Sequence, residues 1–200
     1  MSHQAQVFIL SAPSGGGKSS LARALAENCD HVMTSVSHTT RNIRPGETDG
    51  VDYNFVDVDT FERMIAGGEF VEYANVFGQY YGTSRDAIVG NLAAGKSVVL
   101  DIDWQGARQV RDAFKDAVSI YILPPSLEVL AERLSARGRE DDKQLQERLS
   151  KASSEMSHFN EYDYLMINTH FEDALLELEN LVLNGKCPTS ADNFDVGGLV

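Results

Sequence analysis

Residues 7–25, VFILSAPSGGGKSSLARAL, constrain this chain more than any other stretch. A short apolar run, 7–10, breaks into Ala12, Pro13 and Ser14, then Gly15, Gly16 and Gly17, closed by Lys18, Ser19 and Ser20. Apolar residues then return at helical spacing as Leu21, Ala22, Leu25, Ala26 and Cys29. Consecutive glycines let the backbone curl so that successive N–H groups point at one anion, and a helix start behind them adds its dipole. In that setting Lys18 reaches the β- and γ-phosphates of a nucleotide, and the Ser19 hydroxyl is placed for Mg²⁺. Ala12 stands where the G-x-x-x-x-G-K-[ST] pattern has its first glycine, and alanine is nearly as small. A flexible Gly/Ser turn would lack the strand before and the helix after. The stretch reads as a nucleotide phosphate loop.

The charge balance narrows the partners. With 17 Lys and Arg against 30 Asp and Glu, the formal net charge is −13. That argues against nucleic acid, whose phosphate backbone is normally met by a basic surface. The positive charge is grouped: Arg41 with Arg44, and Arg133, Arg137, Arg139 and Arg148 further on. Guanidinium forks match phosphate oxygens, so such groups mark specific anion sites. For the second group, surface pairing with Glu140, Asp141, Asp142 and Glu147 is an equally open reading.

No apolar run approaches the ~20 residues of a membrane span, and MSHQAQ is not a secretory leader. Cys29 and Cys187 suggest neither a disulfide framework nor a metal cluster. A cytoplasmic protein without a membrane partner is expected, and a homo-oligomer is left open.

Strands are expected at 7–10, 98–103, 119–123 and 164–168, and helices at 84–94, 105–113, 126–136, 142–158 and 170–183. Strands separated by helices imply an α/β fold with a parallel sheet. Two stretches interrupt the alternation. Residues 38–83 hold Tyr53, Phe55, Phe61, Phe70, Tyr73, Phe77, Tyr80 and Tyr81, and read as short antiparallel strands around one helix. Residues 126–156 are helical and rich in arginine. The tail, 185–200, lacks periodicity and is expected to be loose.

SAPSGGGKSS, SVSHTTRNIRPGETDGVDYNFV, EFVEYANVFGQYYGTS, VLDIDWQGA and EMSHFNEYDYLMIN occur in an order and spacing that resemble guanylate kinase. The resemblance runs over residues 5–184. It implies a core (5–37, 84–125, 157–184), a GMP-binding subdomain (38–83) and a lid (126–156). It also implies transfer of the γ-phosphoryl of ATP to GMP, and to dGMP, with Mg²⁺ as cofactor.

The resemblance assigns roles to residues as well. Glu72 reads guanine N1–H and the N2 amino group, assisted by Asp103, while Ser37 and Thr83 donate to O6 and N7. Arg41, Arg44, Tyr53 and Tyr81 hold the GMP phosphate, with Glu47 orienting the arginines. Arg133, Arg137 and Arg148 meet ATP phosphates on closure, with Arg148 also near GMP and Arg139 a weaker candidate. Asn168 lies near the adenine. Lys18, Arg41, Arg137 and Arg148 carry the catalytic charge. From pattern alone, Glu72 reads equally as a solvent-facing strand residue, and the tyrosines as ordinary packing. Asp101, ending an apolar strand, is open to two readings: a partner of Mg²⁺ that also borders GMP, or a structural carboxylate.

Overall fold

The computed structural model describes residues 4–76, 78–136 and 142–185. The elements run β1 (Val7–Ser11), α1 (Lys18–Asn28), β2 (Val32–Thr34), β3 (His38–Thr39), β4 (Asn54–Phe55), α2 (Val58–Ala66), β5 (Phe70–Val76) and β6 (Gln79–Ser84). They continue with α3 (Arg85–Ala93), β7 (Ser97–Asp101), α4 (Trp104–Ala113), β8 (Val118–Leu123), α5 (Leu127–Ala136), α6 (Asp142–Met156), β9 (Tyr164–Ile167) and α7 (Phe171–Asn184).

The main sheet has the order β2-β7-β1-β8-β9, and every neighbouring pair is parallel. All five residues of β1 are buried, as expected of a central parallel strand covered on both faces. On one face Phe8, Leu10 and Ile120 pack against Leu21 and Leu25 of α1 and Leu178 and Leu181 of α7. On the other, Ile9, Leu100 and Leu123 pack against Ile88 of α3 and Val110 of α4. The carboxyl ends of β1 and β7 therefore open into one crevice, where α/β sheets place their ligands.

A second sheet, β4-β3-β6-β5, is built from the aromatic-rich stretch. Its β5–β6 hairpin and its β3–β6 pair are antiparallel. The β3–β4 pair is parallel, unlike the all-antiparallel block expected, because the chain loops back after β3 and enters β4 in the same direction. Phe61 of α2 is fully buried and stacks on Phe70 and Tyr80 at 4.5 and 5.2 Å. A Cβ at Gly82 would lie 2.9 Å from Phe61 Cζ, so the strand must carry glycine there. Truncating such a buried aromatic costs about 3–5 kcal/mol.

Two further departures concern the main sheet. β2 was not expected; its three residues bury only Val32 and give no period to read. The strand expected at 98–103 ends at Asp101, because Asp103 has turned to cap α4, accepting from Gly106 N at 2.9 Å.

Helices α5 and α6 pack through Leu130, Leu134, Leu149 and Ala152. Leu130 and Leu134 sit 3.0 Å from where a Gly15 Cβ would be, so α5 rests directly on the phosphate loop. Beyond α6, Trp104 stacks on His158 with centroids 3.9 Å apart. The Arg108 guanidinium lies 4.6 Å from the Trp104 ring and pairs with both Glu161 oxygens at 2.7 and 2.6 Å. His158 Nδ1 meets Glu161 Oε1 at 2.8 Å. This clasp joins α4 to the chain that leaves α6.

Candidate active site

The phosphate loop leaves β1 at Ser11, whose hydroxyl donates to Ile102 O at 2.9 Å. Gly16 N closes a turn onto Pro13 O at 2.9 Å. Gly15 and Gly17 have φ of 88° and 92°, the left-handed region where a side chain is strained. Gly17 is doubly constrained, since a Cβ there would fall 2.4 Å from Asn168 Nδ2. That amide donates to Gly16 O at 3.0 Å. Asn168 is buried, and its side chain braces the loop from behind. Lys18, the first residue of α1, donates to Ile102 O at 2.9 Å and pairs with Asp101 Oδ1 at 2.6 Å.

Across the crevice, Thr83 Oγ1 donates to Glu72 Oε1 at 2.5 Å, and Ser37 Oγ lies 3.3 Å from Thr83 Oγ1. Glu72 is 4% exposed, which removes the solvent-facing alternative. A Cβ on Gly106 would stand 2.6 Å from Glu72 Oε2, so the glycine makes the space this carboxylate fills. Burial pushes the Glu72 pKa up to about 7, Asp103 adding to the rise while the Thr83 bond and Lys18 oppose it.

Arg41 is locked by Glu47 through two parallel bonds of 2.8 and 3.0 Å and also donates to Asn42 O. Its guanidinium lies 5.3 and 5.6 Å from the Tyr53 and Phe55 ring centroids. Glu47 holds Arg44 differently, by the backbone N–H at 2.7 Å, while the Arg44 residue is exposed. Tyr53 meets Tyr81 edge-on at 5.9 Å. Burial raises the Tyr53 pKa, so the hydroxyl keeps its proton and can donate.

One cavity of about 320 Å³ joins both groups. The loop residues from Ala12 to Ser19 line one end, with Asp101 and Asp103, and Ser37, Tyr53, Glu72 and Tyr81 line the other. Arg41, Arg44, Glu47 and Thr83 lie outside this lining, with Thr83 behind Glu72. Ser20 is exposed on α1.

Arg133 donates to Asn168 O at 2.8 Å, and Arg148 to Ser14 Oγ at 3.4 Å. Arg137 and Arg139 lie outside the described residues, as does the tail from residue 186. Glu155 and Gly106 were not singled out in the sequence. Glu155 lines the cavity and accepts from Ser14 N at 3.0 Å. The WQGA that follows Asp103 was the only sequence signal that could have flagged Gly106.

Among the described residues no group of three or more His, Cys, Asp or Glu could hold a metal. Ser19 and Asp101 line the cavity together and offer the hard oxygen donors suited to Mg²⁺. An ion held there would need its remaining ligands from bound phosphates and water. Likewise, no helix among the described residues is long and apolar enough to cross a membrane.

The guanylate kinase family model matches residues 4–184. The guanylate kinase of Chromohalobacter salexigens is 56% identical over 176 residues, covering 88% of this chain and 82% of the relative. That of Alcanivorax borkumensis is 52% identical over 182 residues, covering 91% and 88%. The crystal structure of guanylate kinase from Anaplasma phagocytophilum superposes with a TM-score of 0.74 at 37% identity, covering 90% of this chain and 85% of that one. With a phosphate loop facing a buried carboxylate across one crevice, and these relatives along nearly its whole length, the chain belongs to the guanylate kinase family.

Proposed function

We propose that this chain is an ATP:GMP phosphotransferase that moves the γ-phosphoryl of ATP to GMP, and also to dGMP, giving ADP and GDP. The observation that carries it is the single cavity lined at one end by the phosphate loop and at the other by buried Glu72. Two phosphate-bearing ligands entering from its two ends would meet in the middle, beside Lys18.

The acceptor needs no general base, because a nucleoside monophosphate with a second pKa of ~6 is already largely dianionic at neutral pH. Alignment and positive charge remain to be supplied. Loop N–H groups and Lys18 hold the ATP phosphates, with Lys18 exchanging Asp101 for a phosphoryl oxygen. Arg41, Arg44, Tyr53 and Tyr81 hold the GMP phosphate, Arg41 being preset by Glu47. Ser19 and Asp101 would hold Mg²⁺, which would supply positive charge for the ATP phosphates when bound. Arg133, Arg137 and Arg148 are the lid cations, and Asn168 stands close to the ATP base while it braces the loop.

Base choice follows from Glu72. A carboxylate accepts from both guanine N1–H and the N2 amino group, whereas adenine presents a bare lone pair at N1. Ser37 supplies a hydroxyl for O6 or N7, and Asp103 assists from the α4 cap. Thr83, expected to donate to the base as well, instead gives its one proton to Glu72 Oε1 and orients that carboxylate. Residues 38–83 act as the GMP-binding subdomain and 126–156 as the lid, both closing on the core (5–37, 84–125, 157–184) to exclude water.

A coupled ADP-release assay with ATP, Mg²⁺ and each of GMP, dGMP, AMP, CMP and UMP tests this. Turnover confined to GMP and dGMP is expected. Turnover with none of them overturns it in favour of a binding module.

A further inference from the structure

We propose that Glu155, in the last turn of α6, is a positioning residue for the phosphate loop, fixing the Ser14 N–H and with it the limb that receives ATP. The inference rests on the loop being the ATP site. Glu155 Oε2 accepts from Ser14 N at 3.0 Å across 141 residues of sequence. Its own backbone is anchored, since the buried Tyr121 hydroxyl donates to Glu155 O at 2.8 Å. Tyr121 of β8 is the register partner of Ser11 in β1, the strand that feeds the loop. Ala152 and Met156, on either side of Glu155, are fully buried. Glu155 therefore holds the loop through its carboxylate and β8 through its backbone carbonyl, from a seated helix end.

Arg148 lies seven residues earlier on the same face of α6, about 10 Å along the axis, and reaches the Ser14 side chain at 3.4 Å. One helix thus grips one loop residue at two points. An acceptor at Ser14 N keeps that N–H from turning into the cavity or to water, and holds Gly15, Gly16 and Gly17 in their nested curl before ATP arrives. Burial raises the Glu155 pKa, with Asp103 adding to the rise, against the opposing pull of the Ser14 N–H and Lys18.

The test compares E155A and E155Q with the wild-type chain, whose turnover of ATP and GMP is measured first; its absence would count against the enzyme reading rather than against Glu155. E155A should raise the ATP KM at least tenfold and leave the calorimetric Kd for GMP within twofold. E155Q, which keeps an acceptor at the same reach, should return the ATP KM to within threefold of wild type. An unchanged ATP KM in E155A overturns the proposal. Equal losses in E155A and E155Q overturn it as well, and so does a parallel loss of GMP affinity. Should E155A not fold, E155Q against E155M makes the same comparison, since methionine matches the length and lacks the acceptor.

Discussion

Lys18 Nζ lies 2.6 Å from Asp101 Oδ1, so the ammonium expected to meet ATP is already docked on a carboxylate at the end of β7. Both side chains are largely shielded, and Ile102 O takes a second proton of the same group. The lysine is held next to the loop in one arrangement, and binding of a phosphate replaces one anion by another. Lys18→Ala should therefore lower kcat by ~10²–10³, the usual loss for one donor to developing charge. GMP affinity by calorimetry should stay within twofold. A folded variant with near-normal kcat would remove Lys18 from the chemistry.

Glu72→Gln should cost guanine recognition more than anything else. The amide oxygen accepts from one guanine donor while its NH₂ faces the other. Sites built on buried hydrogen bonds discriminate by factors as large as ~10⁴. We expect kcat/KM for GMP to fall steeply while that for AMP changes little or rises slightly. A variant that keeps the wild-type preference for GMP over AMP would pass the specificity to Ser37, Thr83 or Asp103.

The same carboxylate predicts a pH dependence. Its pKa of about 7 in the free protein means that guanine, which needs the charged form, must displace a proton in part of the molecules. GMP affinity should rise with pH through about 7 and level off above it, and calorimetry in buffers of different ionisation heat should register proton release. The GMP phosphate titrates near ~6, so Glu72→Gln should flatten the slope between pH 6.5 and 7.5 in particular. For stability the sign is opposite. The folded pKa stands above the ordinary carboxyl value of 4.5, so the unliganded protein loses this contribution as pH rises from about 4.5 to about 7.

Arg41→Ala should raise the GMP KM by about 10- to 100-fold, as befits a hydrogen bond to a charged group worth ~1.5–3 kcal/mol, with the ATP KM within twofold. Glu47→Ala should show a smaller effect of the same kind, because Arg41 would lose both bonds to Glu47 and keep that to Asn42 O. Equal rises in both constants for Arg41→Ala would mean that the second sheet has been disturbed.

Much of the fold was legible because β1, β7, β8 and β9 are short apolar runs separated by amphipathic helices. β2 was not, since three residues with one buried side chain carry no period. Asp103 was read into a strand because Ile102 continues the apolar run, and only cap geometry shows where the chain turns. In the site, the phosphate loop announces itself through local chemistry. Glu72 was legible through the family resemblance but not from local pattern, since its burial depends on the room that Gly106 makes on a different element. Glu155 opens the quoted EMSHFNEYDYLMIN stretch, but its partner lies 141 residues away, so no role could be read for it there.

The clasp between α4 and the chain leaving α6 has a practical consequence. Trp104 is the only tryptophan in the sequence, and its indole lies face to face with the His158 imidazole. The emission of this protein under selective excitation therefore comes from one spot, the joint between the helix that begins beside Glu72 and the segment on which the lid would swing. Any shear at that joint when the second nucleotide arrives would alter the stacking and be readable in a stopped-flow trace, without a label.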